Sequence, residues 1–409
     1  MLRVEPARRR GAGTGKLGIA LAGGGPLGAF YELGALHALA ECIEGRELSD
    51  FDVYVGVSSG SLIAAGLANG FDTTSMGSTF IHDESTLFPF SPELLLRPAV
   101  ADYARRLAAV PRSLADVLRQ YAREPWRGAW PAVIGSVAAM VPTAIFDNRP
   151  LERYLHEIYS AKGHTDDFRK LKAHLYVVAT NLNTGESVSF GHAKHSRVPI
   201  SRALIASSAV PGLYPAVEIG GQHYVDGALI RTVHASLALE AGCELLISIN
   251  PLVPFDASRA RRRKDINLAD EGLSTILTQA FRALIHSRMQ VGMASYGARF
   301  PHADTLLLEP DRQDERVFFT DVFRYSGRHR LVDHVYQRTR RDLLAQAGKL
   351  SALLKRHGLR LNTQRLRDRH RTFTTAAKER AAHTREVPRR LDRTLQRLEK
   401  LVADERPTP

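Results

Sequence analysis

The chain has 409 residues, of which 44% are hydrophobic, and a formal net charge of +13. This is an ordinary globular composition with enough apolar material for a sizeable core, and it contains no run of about 18 apolar residues that could cross a membrane. Two cysteines cannot build a disulfide framework or a zinc site, which favours a reduced compartment. We therefore expect a cytoplasmic protein with no metal and no cofactor.

The first elements in the chain are two strand-loop-helix units. Residues 1–15 are basic and are predicted to be a flexible N-terminus. Residues 17–22 then have the apolar pattern of a buried strand, residues 23–28 of a tight glycine loop, and residues 29–40 of a helix. A second strand, loop and helix follow over residues 53–68.

Further strands alternate with helices along the rest of the chain. Strands are predicted at 175–180, 244–249 and 305–308, a hairpin at 217–225, and helices at 273–293 and beyond residue 330. This alternation predicts an α/β fold with three layers, α/β/α, and a mostly parallel central sheet.

Two segments stand outside that alternation. Residues 88–146 form a helical insert that contains both tryptophans, Trp126 and Trp130, beside arginines. Such a segment suits a lid or a membrane-facing element, or a helical subdomain packed on the core. Residues 342–409 are predicted to be a basic helical extension, because residues 340–409 hold 19 Lys and Arg against 8 Asp and Glu.

A serine lies on the second strand-to-helix turn. Gly56, Ser58 and Gly60 form the pattern G-x-S-x-G, which places a nucleophile on a sharp turn where side chains on the flanking residues would clash. The pattern alone arises by chance in a chain of this length roughly one time in ten, so its context decides what it means.

The first glycine loop has two interpretations. Gly23, Gly25 and Gly28 match the G-x-G-x-x-G turn of a dinucleotide site, with Glu44 or Glu47 as the ribose-binding acid of an oxidoreductase. In a hydrolase the same loop would supply backbone N–H groups for an oxyanion. The second interpretation accounts for Ser58 as well, because both loops follow parallel strands and so share one edge of the sheet.

Three blocks, read in order, resemble the motifs of the patatin-like phospholipases over residues 16–341. They are the glycine loop 23–28, the serine turn 56–60, and the Asp-Gly-Ala segment 226–228, preceded by residues 207–215. The resemblance implies a Ser-Asp dyad in which Ser58 is the nucleophile and Asp226 is the base. It also implies an oxyanion hole from the amides of Gly23, Gly24 and Gly25, and turn glycines at Gly28, Gly56, Gly60 and Gly227.

The resemblance implies hydrolysis of fatty-acyl esters of lipids through an acyl-enzyme intermediate. The chain departs from the family pattern at Leu27, where Arg or Lys is usual, and at Ala228, where a second glycine is usual. We expect peripheral contact with anionic membrane, without a transmembrane segment, and no contact with nucleic acid. The oligomeric state is not predicted.

A Ser-His-Asp triad of the α/β-hydrolase type is the other catalytic arrangement to weigh. That fold orders its residues Ser, Asp, His, and His234, His286 or His302 could follow Asp226 in this role. Ser58 comes after only two predicted strands, however, whereas α/β-hydrolases usually build several strands first.

Overall fold

The computed structural model describes residues 1–9, 15–81, 89–91, 93–100, 103, 144–230, 233–259, 267–319 and 327–380. Within these ranges the strands are β1 Leu2–Glu5, β2 Leu17–Leu21, β3 Ile43–Glu44, β4 Val53–Val57, β5 His174–Asn181, β6 Ser187–Phe190, β7 Val217–Ile219, β8 Gln222–Asp226, β9 Leu245–Ile249, β10 Asp304–Leu308 and β11 Arg360–Leu361.

The described α-helices contain between four and 27 residues. They are α1 Gly25–Cys42, α2 Ser59–Ala68, α3 Thr73–Phe80, α4 Glu93–Leu96, α5 Arg149–Ser160, α6 Ile200–Ser207, α7 Ser236–Glu240, α8 Leu273–Arg299, α9 Glu315–Phe318, α10 Arg328–Ala345, α11 Ala347–Arg356 and α12 Thr363–Arg367. None of the helices in these described ranges is long and apolar enough to cross a membrane.

The main sheet has nine strands in the order β1-β10-β9-β2-β4-β5-β8-β7, with β6 paired to β5. Strands β10, β9, β2, β4 and β5 are parallel to their neighbours within that block. Strands β1, β6, β7 and β8 are antiparallel to theirs and lie outside it. The predicted α/β fold with a parallel block at the centre of the sheet and the hairpin of β7 and β8 are therefore confirmed, and the sheet as a whole is mixed.

Helices cover both faces of this sheet. On one face α1 packs along α10 and beside α2, with Leu36, Leu39 and Tyr336 fully buried between them. On the other face Met289 and Met293 of α8 pack against strand residues in a second apolar cluster. The central strands β2, β4 and β9 are buried over their whole length, because helices cover both sides of a parallel sheet.

The N-terminus differs from the prediction. Residues 2–5 form β1, an edge strand antiparallel to β10 with Leu2 opposite Leu308. The alternation of Leu2 and Val4 with polar residues is a strand pattern of only four residues. The partner strand β10 lies about 300 residues away in the sequence, so neither this short pattern nor the basic composition of the segment indicated the pairing.

The C-terminal boundary also differs from the prediction. Residue 342 lies inside α10, which runs from Arg328 to Ala345. The chain beyond it is held to the core by β11, whose Leu361 pairs with Ile43, and by the N–H of Asn362, which donates to the carbonyl of Cys42 at 2.8 Å. Residues 342–380 therefore complete the domain instead of extending from it.

Several predictions fall on chain that the structure does not describe. The proposed interfacial tryptophans Trp126 and Trp130, most of the insert 88–146, and residues 381–409 of the predicted basic extension lie outside the described residues. They stay predictions.

The packing of α11 gives a stability test. Leu354 is fully buried, whereas its neighbour Lys355 is exposed. We expect Leu354→Ala to lower the free energy of unfolding by about 2–5 kcal/mol, because it leaves a cavity in the core. Lys355→Ala, the matched control, should change it by less than about 0.5 kcal/mol. Denaturant unfolding measures both, and equal small effects would show that α11 does not belong to the core.

Candidate active site

Ser58 occupies the sharp turn between β4 and α2. Its φ of 52° and ψ of −128° lie in a region that non-glycine residues rarely adopt, a strain of order 1–3 kcal/mol that the surroundings must offset. The Ser58 N–H donates to the hydroxyl of Ser207 at 2.8 Å, and the Ser58 carbonyl accepts from the N–H of Ser61 at 2.9 Å. These bonds hold the turn on both sides of the serine.

Two glycines allow that turn to form. A Cβ on Gly56 would lie 2.3 Å from the Cα of Ser61, within the turn itself. A Cβ on Gly60 would lie 2.3 Å from the carbonyl oxygen of Ala22, at the end of the neighbouring strand. Both atoms are backbone and cannot move aside, so the pattern G-x-S-x-G is required here by close packing.

The glycine loop after β2 lies directly against the serine. A Cβ on Gly23 would be 2.8 Å from the Cβ of Ser58 and 3.5 Å from the Cβ of Ala228. Gly24 and Gly25 have positive φ angles of 157° and 60°, and the N–H of Gly28 donates to the carbonyl of Gly24 at 3.0 Å. The structure thus brings the three sequence blocks together at one place.

Sheet pairing sets the position of Asp226 relative to Ser58 along the strand direction. In β4, Val57 pairs with Val178 of β5, and on the other side of β5 Asp226 pairs with Ala179. The two side chains therefore flank the same part of β5. A Cβ on Gly227 would lie 2.3 Å from the carbonyl oxygen of Val178, so the glycine after Asp226 lets this segment approach β5 closely.

The Asp226 carboxyl is buried, with 4% of the residue exposed. Burial raises its pKa to about 6, while the Ser58 side chain and the N–H of Ala228 act in the opposite direction by hydrogen bonding to the charged form. The N–H of Ala228 donates to Oδ1 at 2.8 Å. Ser58 is also 4% exposed, so both side chains meet in an environment that excludes most water.

The dinucleotide alternative does not fit this geometry. Glu44 and Glu47 follow the C-terminal end of α1, an 18-residue helix that is about 27 Å long, whereas the glycine loop is at its N-terminal end. Glu44 pairs with Arg360, and Glu47 pairs with Arg380. Neither acid is placed to hold a ribose beside the loop.

The triad alternative is not supported either. Among the described residues, the partners of the Asp226 carboxyl are the Ser58 side chain and the N–H of Ala228. His286 lies 3.6 Å from Glu309, near the end of β10. No histidine is among these partners of the Asp226 carboxyl.

Ser207 is a residue of this site to which the sequence assigned no role. Its hydroxyl accepts the Ser58 N–H and donates to the carbonyl of Val178 at 2.6 Å, so it ties the serine turn to β5. The residue begins the block 207–215 that the motif comparison singled out. Only the folded chain shows that this hydroxyl contacts the serine backbone 149 positions away.

The remaining sequence departures leave the site intact. Leu27, which stands where the family usually has a cation, is buried with 7% of the residue exposed. Ala228, in place of a second glycine, donates its N–H to Asp226. Among the described residues no group of three or more His, Cys, Asp or Glu could hold a metal ion.

Three solved structures are similar to this chain at low sequence identity. VipD from Legionella pneumophila has a TM-score of 0.33 at 14% identity, with 81% of this chain and 70% of VipD covered. The type III effector ExoU has a TM-score of 0.31 at 16% identity, with 97% and 65% covered. ExoU with SpcU from Pseudomonas aeruginosa has a TM-score of 0.27 at 15% identity, with 82% and 61% covered.

The chain thus spans about two thirds of the length of those proteins, and TM-scores this low carry no conclusion about activity. The family model described as patatin-like phospholipase, in contrast, matches residues 19–239, which is more than half of the chain and contains all three motif blocks. The protein therefore belongs to the patatin-like phospholipase family and is a lipid acyl hydrolase of that family.

Proposed function

We propose that the protein hydrolyses fatty-acyl esters of phospholipids or other lipids with a Ser58–Asp226 dyad. The observation that carries the proposal is the buried Asp226 carboxyl that interacts with the Ser58 side chain. The glycine loop supports it, because Gly23 lies directly against Ser58, so that backbone N–H groups of the loop are available next to the nucleophile.

In the first step the Asp226 carboxylate takes the proton of Ser58 as Oγ attacks the ester carbonyl. The negative charge that develops on the carbonyl oxygen is stabilised by amides of Gly23, Gly24 and Gly25. The tetrahedral intermediate then expels the alcohol, which takes its proton from Asp226, and the acyl group stays on Ser58.

In the second step Asp226 takes a proton from water, and the water oxygen attacks the acyl carbonyl. Collapse of this intermediate releases the fatty acid and returns the proton to Ser58. A free carboxylate is a weak base for this work, and burial compensates by raising the pKa of Asp226 to about 6. The group is then mostly ionised at neutral pH and is still a stronger base than an exposed aspartate.

We further propose that the enzyme works in peripheral contact with anionic membrane. Its substrates are lipid esters, and its net charge of +13 favours association with an anionic surface. The described part of the basic C-terminal segment packs on the domain, so its exposed arginines move with the body of the enzyme.

The dyad is tested by removing each member without changing its size greatly. We expect Ser58→Ala and Asp226→Asn to lose at least a thousandfold in kcat/KM for a lipid ester, since nucleophile and base act in the same step. Labelling with a fluorophosphonate should disappear in Ser58→Ala. Full esterase activity in either variant would refute the mechanism.

The base is tested by the pH profile. Because the pKa of Asp226 is raised to about 6, the carboxylate form that accepts the proton is present above that pH and is lost below it. The value of kcat/KM should rise about tenfold per pH unit up to about pH 6 and then level off. A profile that is flat between pH 4 and pH 8 would show that Asp226 is not the base.

The support of the serine turn is tested with adjacent serines. Ser207→Ala removes the hydroxyl that bonds the Ser58 N–H and the carbonyl of Val178, so we expect kcat to fall at least tenfold and the protein to lose about 1–3 kcal/mol of stability. The control is Ser208→Ala, whose hydroxyl makes no hydrogen bond to any residue that the structure describes. Kinetics and denaturant unfolding of both variants should separate them, and equal effects would rule out the positioning role.

A further inference from the structure

Helix α8 is apolar on its outside as well as on its inside. Its inner side is fixed to the domain: Gln279 bonds both the N–H and the carbonyl of Phe255, and Met289 and Met293 are buried. Its outer apolar face exposes large side chains by 42–72%, namely those of Leu273, Ile276, Leu277, Phe281, Leu284 and Val291. A surface helix normally has polar residues there.

These outer residues form one continuous stripe. At about 100° per residue, the positions i, i+4, i+11 and i+18 taken by Leu273, Leu277, Leu284 and Val291 lie on the same side of a helix. The inner residues Gln279 and Met289 lie on the opposite side. The stripe extends over 19 residues, about 27 Å.

The stripe borders the catalytic edge of the sheet. With 27 residues α8 is about 40 Å long, whereas a five-residue strand such as β10 spans about 17 Å. Its C-terminus leads into the start of β10, so its N-terminal half rises beyond the edge where the strands end. Arg288, which lies within the stripe, donates to the carbonyl of Leu229, three residues after Asp226.

The chemistry of the stripe suits a lipid surface. Residues 273–303 contain no Asp or Glu. Arg288 and Arg299 are on the exposed side of the helix, whereas Arg282 lies on the inner side over the ring of Phe318. Apolar side chains with arginines and without acids are what a helix needs to lie in the interface of an anionic bilayer. A two-fold contact between two copies of the protein would instead place Arg288 of one copy near Arg288 of the other, and both copies carry a net positive charge.

We propose that the outer apolar face of α8 lies in the surface of an anionic phospholipid bilayer, so that the Ser58 edge, which the N-terminal half of the helix passes, lies beside that surface. The helix would enter by about 5–10 Å with its axis parallel to the membrane. The proposal rests on the lipid hydrolase function above, and it names the surface through which that enzyme reaches its substrate.

The test compares Leu277→Asp and Leu284→Asp with Ser160→Asp in the full-length chain. Ser160 is exposed at the end of α5, on the stretch that leads to the start of β5, so the control adds the same charge away from the catalytic edge. Co-sedimentation is measured with vesicles of phosphatidylcholine, with and without phosphatidylglycerol. We expect both leucine variants to bind the anionic vesicles at least tenfold more weakly than wild type, and Ser160→Asp to bind like wild type.

Two further measurements separate this surface from the catalytic proposal. Hydrolysis of a soluble short-chain p-nitrophenyl ester, which requires no bilayer, should stay within twofold of wild type in all three variants. Wild-type protein that binds vesicles through α8 but hydrolyses no ester would refute the hydrolase and leave the docking surface standing.

Three results would overturn the docking surface. The leucine variants could bind anionic vesicles as tightly as wild type. They could lower the thermal midpoint more than Ser160→Asp does, which would mean that the chain itself covers the stripe. They could dissociate a dimer seen by sedimentation velocity, which would identify a second copy as the occupant.

Discussion

The close approach of two strand-to-helix loops is the constraint on which the site depends. The backbone of the serine turn touches the end of β2 where Gly60 meets the carbonyl of Ala22, and the glycine loop touches the serine where Gly23 meets Ser58. A Cβ would lie 2.3 Å from the Ala22 oxygen at Gly60 and 2.8 Å from the Ser58 Cβ at Gly23, so a side chain at either position would force the loops apart. Because the parallel pairing of β2 and β4 sets the two loops at the same edge, the sheet and the glycines together create the site.

Burial of Asp226 links catalysis to stability. The group has a pKa of about 6 in the folded protein and an ordinary value near 4 when unfolded, so the folded state favours its protonated form. The stability that this form contributes is present below about pH 4 and is lost as pH rises to about 6, a loss of about 3 kcal/mol. The burial that would make Asp226 an effective base in the proposed dyad therefore weakens the fold near neutral pH, and the buried core offsets that cost.

Strands β1 and β11 show how segments that are far apart in the sequence pack together to complete the domain. Strand β1 covers one edge of the sheet, and β11 with α12 covers the far end of α1. Both contacts join residues about 300 positions apart, which local patterns of hydrophobicity cannot reveal. Helix α8 was predicted from its spacing, but the same apolar residues would suit a helix buried on all sides. The structure shows that six large apolar side chains of α8 face outward, next to the sheet edge that carries Ser58.

The sequence by itself determined the α/β fold class and the two strand-loop-helix units that carry the glycine loop and the serine turn, because strand periodicity and glycine-bounded turns act over a few residues. It grouped Ser58, Asp226 and Gly23 to Gly25 only through the resemblance to patatin-like motifs. Only the tertiary structure decided which of the candidate site residues lie close to one another. It put Glu44 and Glu47 at the far end of α1, His286 beside Glu309, and Ser207 under the serine turn, since contacts between residues far apart in sequence depend on how sheet pairing and helix packing fold the chain back on itself.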